Sequence, residues 1–210
     1  EGRGFVSRNC LRAFVENICV HLWKIKANVM GAKERAYLPH AVVEVTTDCN
    51  LRCKHCYNWW KREGEAPPAR GAFGKAFRLL EWLISHTTAE QVVFSGGEPT
   101  LCERFEELAL HAKVNGLRVT VITNGNGPGR VYEALARMGV DLLEFSVLSA
   151  RAATHDGITV AAGSWERTTR ELRLALERGV EVVPVTVVTA LNADGVGECL
   201  EMLCGMGVRR

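Results

Sequence analysis

Ala41-Val42-Val43-Glu44-Val45-Thr46-Thr47 runs directly into Asp48-Cys49-Asn50-Leu51-Arg52-Cys53-Lys54-His55-Cys56-Tyr57. The first seven residues form a short β-branched run, the composition of a buried strand. A C-x3-C-x2-C loop follows at its carboxyl end. The same alternation continues along the chain. Strands are expected over 41–47, 91–95, 117–123, 142–148 and 182–189, and helices over 73–86, 103–115, 130–138, 165–178 and 195–206. Thr100 and Glu103 have capping-box spacing, while Gly116, Gly139 and Gly179 stand where a helix must turn left-handed to stop. Strand, helix, strand with short connections implies a parallel α/β sheet joined by right-handed crossovers. A doubly wound sheet and a TIM-type (β/α) barrel share this local pattern, and periodicity does not choose between them. In both, ligands gather where the strands end.

The bulk numbers set limits. A chain of 210 residues, 47% apolar and 24% charged, describes one ordinary folded domain. Its net charge of +2 comes from 26 basic and 24 acidic residues with no long run of either sign, which argues against a nucleic-acid partner. Over 10–30, Leu11, Phe14, Val15, Ile18, Leu22, Ile25 and Val29 recur at helical spacing, interrupted by Arg12, Glu16, Lys24 and Lys26. That is an amphipathic helix packed on the domain or on a partner, with a helix lying on a membrane surface as the alternative, and it is too polar to span a membrane. An N-terminal helical extension over 1–38 therefore precedes a core over 39–210.

Eight cysteines invite a disulfide reading, but three are crowded between Cys49 and Cys56 in a chain too large to need staples. A metal site in a reducing, cytoplasmic compartment fits better. Cys10, Cys19, Cys102, Cys199 and Cys204 lack such spacing and read as small buried hydrophobes. Three thiolates on one loop can converge on a cubane iron–sulfur cluster and leave one iron open. Zinc is the rival, with His55 as fourth ligand, although structural zinc sites are usually built from two separated pairs.

Polar groups collect at the other strand ends. Ser95-Gly96-Gly97-Glu98-Pro99-Thr100 follows the second strand. Its glycines allow close backbone approach, and its carbonyls or Glu98 can accept from a cationic amine; a plain strand-to-helix turn is the simpler reading. Thr123-Asn124-Gly125 closes the third strand. On the fourth, Glu144 and Ser146 alternate with Leu143, Phe145 and Val147, which places both polar groups on one face. A strand buried on both sides is normally apolar throughout, so these two line a polar cavity or mark a wet edge strand.

C-x3-C-x2-C after strand one, Gly-Gly-Glu-Pro after strand two and Thr-Asn-Gly after strand three together resemble the radical S-adenosylmethionine (SAM) superfamily. The wording of Val-Glu-Val-Thr and Cys-Lys-His-Cys-Tyr-Asn resembles its branch of peptide maturases, molybdenum-cofactor and heme-pathway enzymes. The resemblance implies a partial (β/α) barrel of six strand–helix units, of which this sequence supplies five. It implies a 4Fe–4S cluster on Cys49, Cys53 and Cys56 whose open iron takes the amino and carboxylate groups of SAM. By the same resemblance Gly96, Gly97 and Glu98 hold the methionine amine, His55 leans on the adenine, Ser146 contacts the cofactor, and Val188 and Thr189 lie beside the adenosine. Two positions depart from it. Relatives read Ser-Leu-Asp where this chain has Ser146-Val147-Leu148, and sulfatase-type maturases carry an arginine where this chain has Thr159.

The implied reaction is reductive SAM cleavage followed by hydrogen abstraction from a substrate, a peptide as first expectation. A low-potential flavodoxin or ferredoxin would supply the electron. The alternatives are a zinc-stabilised binding module and an electron-transfer protein whose cluster is fully ligated. A fifth strand with an unpaired edge also predicts that the polypeptide continues past Arg210, and the resemblance implies that the continuation adds a sixth unit and a cysteine-rich tail.

Overall fold

A computed structural model describes residues 35–57 and 73–209. The expected helix over 10–30, Cys10, Cys19 and most of the loop over 59–74 lie outside these. The described elements are β1 (His40–Thr46), α1 (Phe73–His86), β2 (Gln91–Gly96), a 3-10 turn (Pro99–Leu101), α2 (Phe105–Val114), β3 (Arg118–Thr123), α3 (Gly129–Met138), β4 (Leu142–Ser146), α4 (Ala152–Thr159), α5 (Ser164–Glu177), β5 (Val182–Val185), a second 3-10 turn (Ala193–Gly195) and α6 (Val196–Gly205).

All four strand pairings are parallel, and the strands lie side by side in chain order, β1-β2-β3-β4-β5. A doubly wound sheet needs that order to reverse partway, so that crossovers fall on both faces. Here it never reverses, and right-handed crossovers all land on one face. The helices accordingly form one layer, α1 against α2, α2 against α3, and α3 against α5. This settles the two architectures left open by periodicity in favour of the open (β/α) barrel.

Strand parity separates the two faces. Val43, Val45, Val92, Phe94, Val119, Val121, Leu143 and Phe145 point to the helices and are buried with Leu80, Leu108, Leu135 and Leu172. Phe94 meets Phe105 edge to face at 5.5 Å, and burying such a ring contributes about 1.5–3 kcal/mol. Val42, Glu44, Val93, Ser95, Ile122, Glu144 and Ser146 alternate with these and occupy the inward face.

Several expectations need correction. The fifth strand ends at Val185, not at 189, because Pro184 offers no N–H and the following residues turn back through Asn192. The Thr100/Glu103 capping box does not form. Thr100 bonds to Glu98 instead, and α2 begins later, behind a left-handed Arg104. A helix absent from the sequence reading, α4, fills the fourth crossover together with α5. Cys102 and Cys199 are buried as expected, but Cys204 is exposed, one residue off the buried Cys199–Leu203 face of α6. The helix stops at Gly116, Gly139 and Gly179 have φ of 83, 68 and 75°.

The N-terminus of α5 is capped from outside the helix. Asp156, on α4, accepts from Gly163 N at 2.6 Å, Ser164 Oγ at 2.9 Å and Trp165 N at 2.8 Å. Burial opposes its charge, but these donors win and hold its carboxyl below the usual aspartate range. The contribution is complete above the ordinary aspartate pKa and is lost as pH falls through the depressed one. Asp156→Ala is expected to destabilise the fold by about 1–2 kcal/mol at neutral pH and by progressively less in acid, as measured by urea denaturation.

Candidate functional site

The loop after β1 is held from three sides. Arg52 N and Lys54 N donate to Thr159 O and Ile158 O on α4, at 3.1 and 2.9 Å. Asn50 Nδ2 donates to Asn126 O at 2.6 Å, in the loop after β3. Tyr57 Oη donates to Glu44 Oε1 at 3.1 Å, on the inward face of β1. Burial and the Glu44 carboxylate push the Tyr57 phenol above its ordinary pKa.

Within this frame Cys49, Cys53 and Cys56 line one cavity of about 230 Å³. Its wall is completed at the carboxyl ends of the other strands, where parallel α/β sheets place their ligands, by Gly96, Gly97 and Glu98, by Thr123 and Asn124, by Ser146 and Leu148, by His155 and Thr159, and by Val187. Cys49 Sγ receives Leu51 N at 3.4 Å and Asn124 Nδ2 at 3.6 Å. Such donors stabilise a thiolate ligand and tune a metal centre. A single ion requires donors to converge on one point, and among the described residues no three His, Cys, Asp or Glu side chains do so.

The turn after β2 is shaped by its neighbour. Gly97 N donates to Thr46 O and Glu98 N to Asp48 O, both at 2.8 Å. A Cβ on Gly97 would lie 2.2 Å from Asp48 O, and Gly96 has a φ of 135° that favours glycine. The glycines thus let this turn lie against the backbone that leads into Cys49. Glu98 is fully buried, and its carboxylate accepts from Thr100 N (3.1 Å), Thr100 Oγ1 (2.6 Å), Thr123 Oγ1 (2.8 Å) and Asn124 N (2.7 Å). Burial pushes its pKa up against the pull of these donors. Glu98 therefore braces the β2 and β3 ends, and through Asn124 it reaches Cys49.

The site expectations divide cleanly. His55, Gly96, Gly97, Glu98 and Ser146 join the three cysteines at the cavity. Thr189 does not line it. Thr189 sits in a turn whose N and Oγ1 both donate to Asn192 Oδ1, at 2.7 and 3.2 Å, and Val187 faces the cavity instead. Glu144 and Ser146 are half-buried on a strand paired on both sides, which removes the edge-strand reading. Burial raises the pKa of Glu144. Sequence reasoning missed His155 and Asn124; the Thr-Asn-Gly words marked the second, and nothing local marked the first.

Residues 43–203 match the Radical SAM superfamily, and the chain belongs to it. Members of this family use a 4Fe–4S cluster and SAM. The chain is 32% identical over 145 residues to Fe-coproporphyrin III synthase of Methanosarcina barkeri, covering 69% of this chain and 35% of that protein. It is 29% identical over 171 residues to pre-heme d1 synthase of Dinoroseobacter shibae, covering 81% and 41%. In fold it resembles SuiB of Streptococcus suis bound to SAM, with a TM-score of 0.70, 15% identity, and coverage of 99% of this chain and 46% of that one. The chain thus spans less than half the length of these relatives. Three thiols at one cavity suit the cluster that the family uses, and the family match does not favour the zinc-module and electron-transfer alternatives. Among the described residues no helix is long and apolar enough to cross a membrane.

Proposed function

We propose that this chain is the catalytic core of a radical SAM enzyme, with Cys49, Cys53 and Cys56 ligating a 4Fe–4S cluster and SAM bound beside them. The observation that carries this reading is the meeting of three thiols, the Gly96–Glu98 turn, His55 and Ser146 at one cavity. Held by the three cysteines, a cluster would supply the electron for reductive cleavage of SAM and so radical chemistry on a substrate. The chain's own residues position and shield. Among the residues that line the cavity, Gly96 and Gly97 would present backbone to the methionine amine, His55 would lie against the adenine, Ser146 would offer a hydroxyl, and Leu51, Leu148 and Val187 would keep water from the reacting atoms. Thr189 holds the turn that carries Val187.

The electron donor is a flavodoxin or ferredoxin. The substrate is a peptide, a reading supported by a fold neighbour, SuiB, whose structure holds the precursor peptide SuiA. A tetrapyrrole is the second reading, supported by the names of the heme-pathway relatives. The test is anaerobic reconstitution followed by iron, sulfide and zinc analysis, reduction, and assay of methionine and 5′-deoxyadenosine. Equal amounts of the two products are expected, together with a SAM-dependent change in the cluster's electron paramagnetic resonance signal. Stoichiometric zinc without iron, or a cluster signal indifferent to SAM, would sink the proposal. Deuterium carried from a labelled peptide or porphyrin into 5′-deoxyadenosine separates the two substrates.

A further inference from the structure

Among the residues that line the cavity is His155, which the mechanism above does not use. His155 is fully buried on α4, and Leu148 N donates to its Nδ1 at 3.2 Å. A ring nitrogen that accepts carries no proton, so the neutral imidazole bears its proton on Nε2. Burial pushes this imidazole down to about 4, against a smaller opposing pull from Asp156, which keeps the ring neutral near pH 7. Nε2 is itself buried and has no hydrogen-bond partner among the described residues. Buried N–H groups left unmet are rare in native proteins, and His155 lines the cavity shared with Cys49 and Ser146.

The rest of the wall narrows what Nε2–H awaits. Among the described residues that line the cavity there is no lysine or arginine. Glu98 is engaged by four donors, and the Thr159 hydroxyl is paired with Ser164 Oγ at 2.6 Å. An anionic group entering here meets no lysine or arginine of the cavity wall. A donor-only N–H matches an acceptor-only carboxylate, whereas a hydroxyl of the ligand can give its own proton elsewhere.

We propose that His155 binds the carboxylate of SAM through Nε2–H, with the Leu148 amide fixing the tautomer; the assignment rests on the SAM reading above. The test is equilibrium binding of SAM and of decarboxylated SAM to the full cluster-loaded protein, by calorimetry, for wild type, His155→Asn and His155→Gln. Asparagine keeps an acceptor for Leu148 N but stops short of the cavity; glutamine extends an amide N–H toward it. His155→Asn should weaken SAM binding about 10- to 100-fold, the loss of one hydrogen bond to a charged group. It should change binding of decarboxylated SAM by no more than about twofold, and His155→Gln should recover part of the loss. Cluster absorbance should be equal in all three proteins, which separates a lost contact from a damaged site. Equal losses for both ligands, or none for either, overturn the assignment. Wild-type protein that carries its cluster and binds neither ligand overturns the SAM reading and this assignment together.

Discussion

Cys53→Ala is expected to lose the cluster's visible absorbance, its iron and sulfide, and all SAM cleavage. The drop should exceed the roughly 10- to 100-fold typical of changes outside the ligand shell. Cys53 stands between Arg52 and Lys54, whose amides are both committed to α4, so no neighbouring donor can slide into its place. Two remaining thiols cannot hold three irons. Iron and sulfide analysis with 5′-deoxyadenosine assay checks this. Persistence of either the cluster or the cleavage would mean that the three thiols do not act as one ligand set.

Gly97→Ala should be nearly as damaging without touching a ligand. Its Cβ would lie 2.2 Å from Asp48 O and 2.6 Å from Thr47 O, both backbone atoms, so no side chain can rotate aside. The end of β1 must move, and Cys49 moves with it. The expected result is a loss of about 3 kcal/mol or more in stability, with cluster content falling sharply while far-ultraviolet circular dichroism still shows the α/β fold. Gly157 on α4 serves as comparison, because a Cβ there meets nothing within 4 Å. Alanine at that position should stabilise by about 0.4–1 kcal/mol. Equal behaviour of the two variants in urea denaturation would remove the steric account of the β2 turn.

The strands were legible because valine-rich runs such as Val92-Val93-Phe94 carry their own signal. The parity of Glu144 and Ser146 was legible for the same local reason. Strand order was not, since doubly wound sheets and barrels use identical units and differ only in which strands become neighbours. The eight residues of α4, Ala-Ala-Thr-His-Asp-Gly-Ile-Thr, show little amphipathic period and include a glycine and two threonines, so their helix owes more to packing against α5 than to propensity. Val187 and Thr189 looked like strand by composition, but Asn192 captures the turn they form. The crowding of Cys49, Cys53 and Cys56 at one strand end could be read from spacing alone. The place of His155 could not, because only the folded chain buries it at the cavity and brings the Leu148 amide to it.

The last carbonyls of a helix have no partners within it and must find donors elsewhere. At the end of α4 two of them, on Ile158 and Thr159, find theirs in Lys54 and Arg52 of the cysteine loop. The same pair of bonds therefore finishes the helix and fastens the cysteine loop. Neither can be released without exposing the other, so loop and fourth crossover form a single cooperative opening unit.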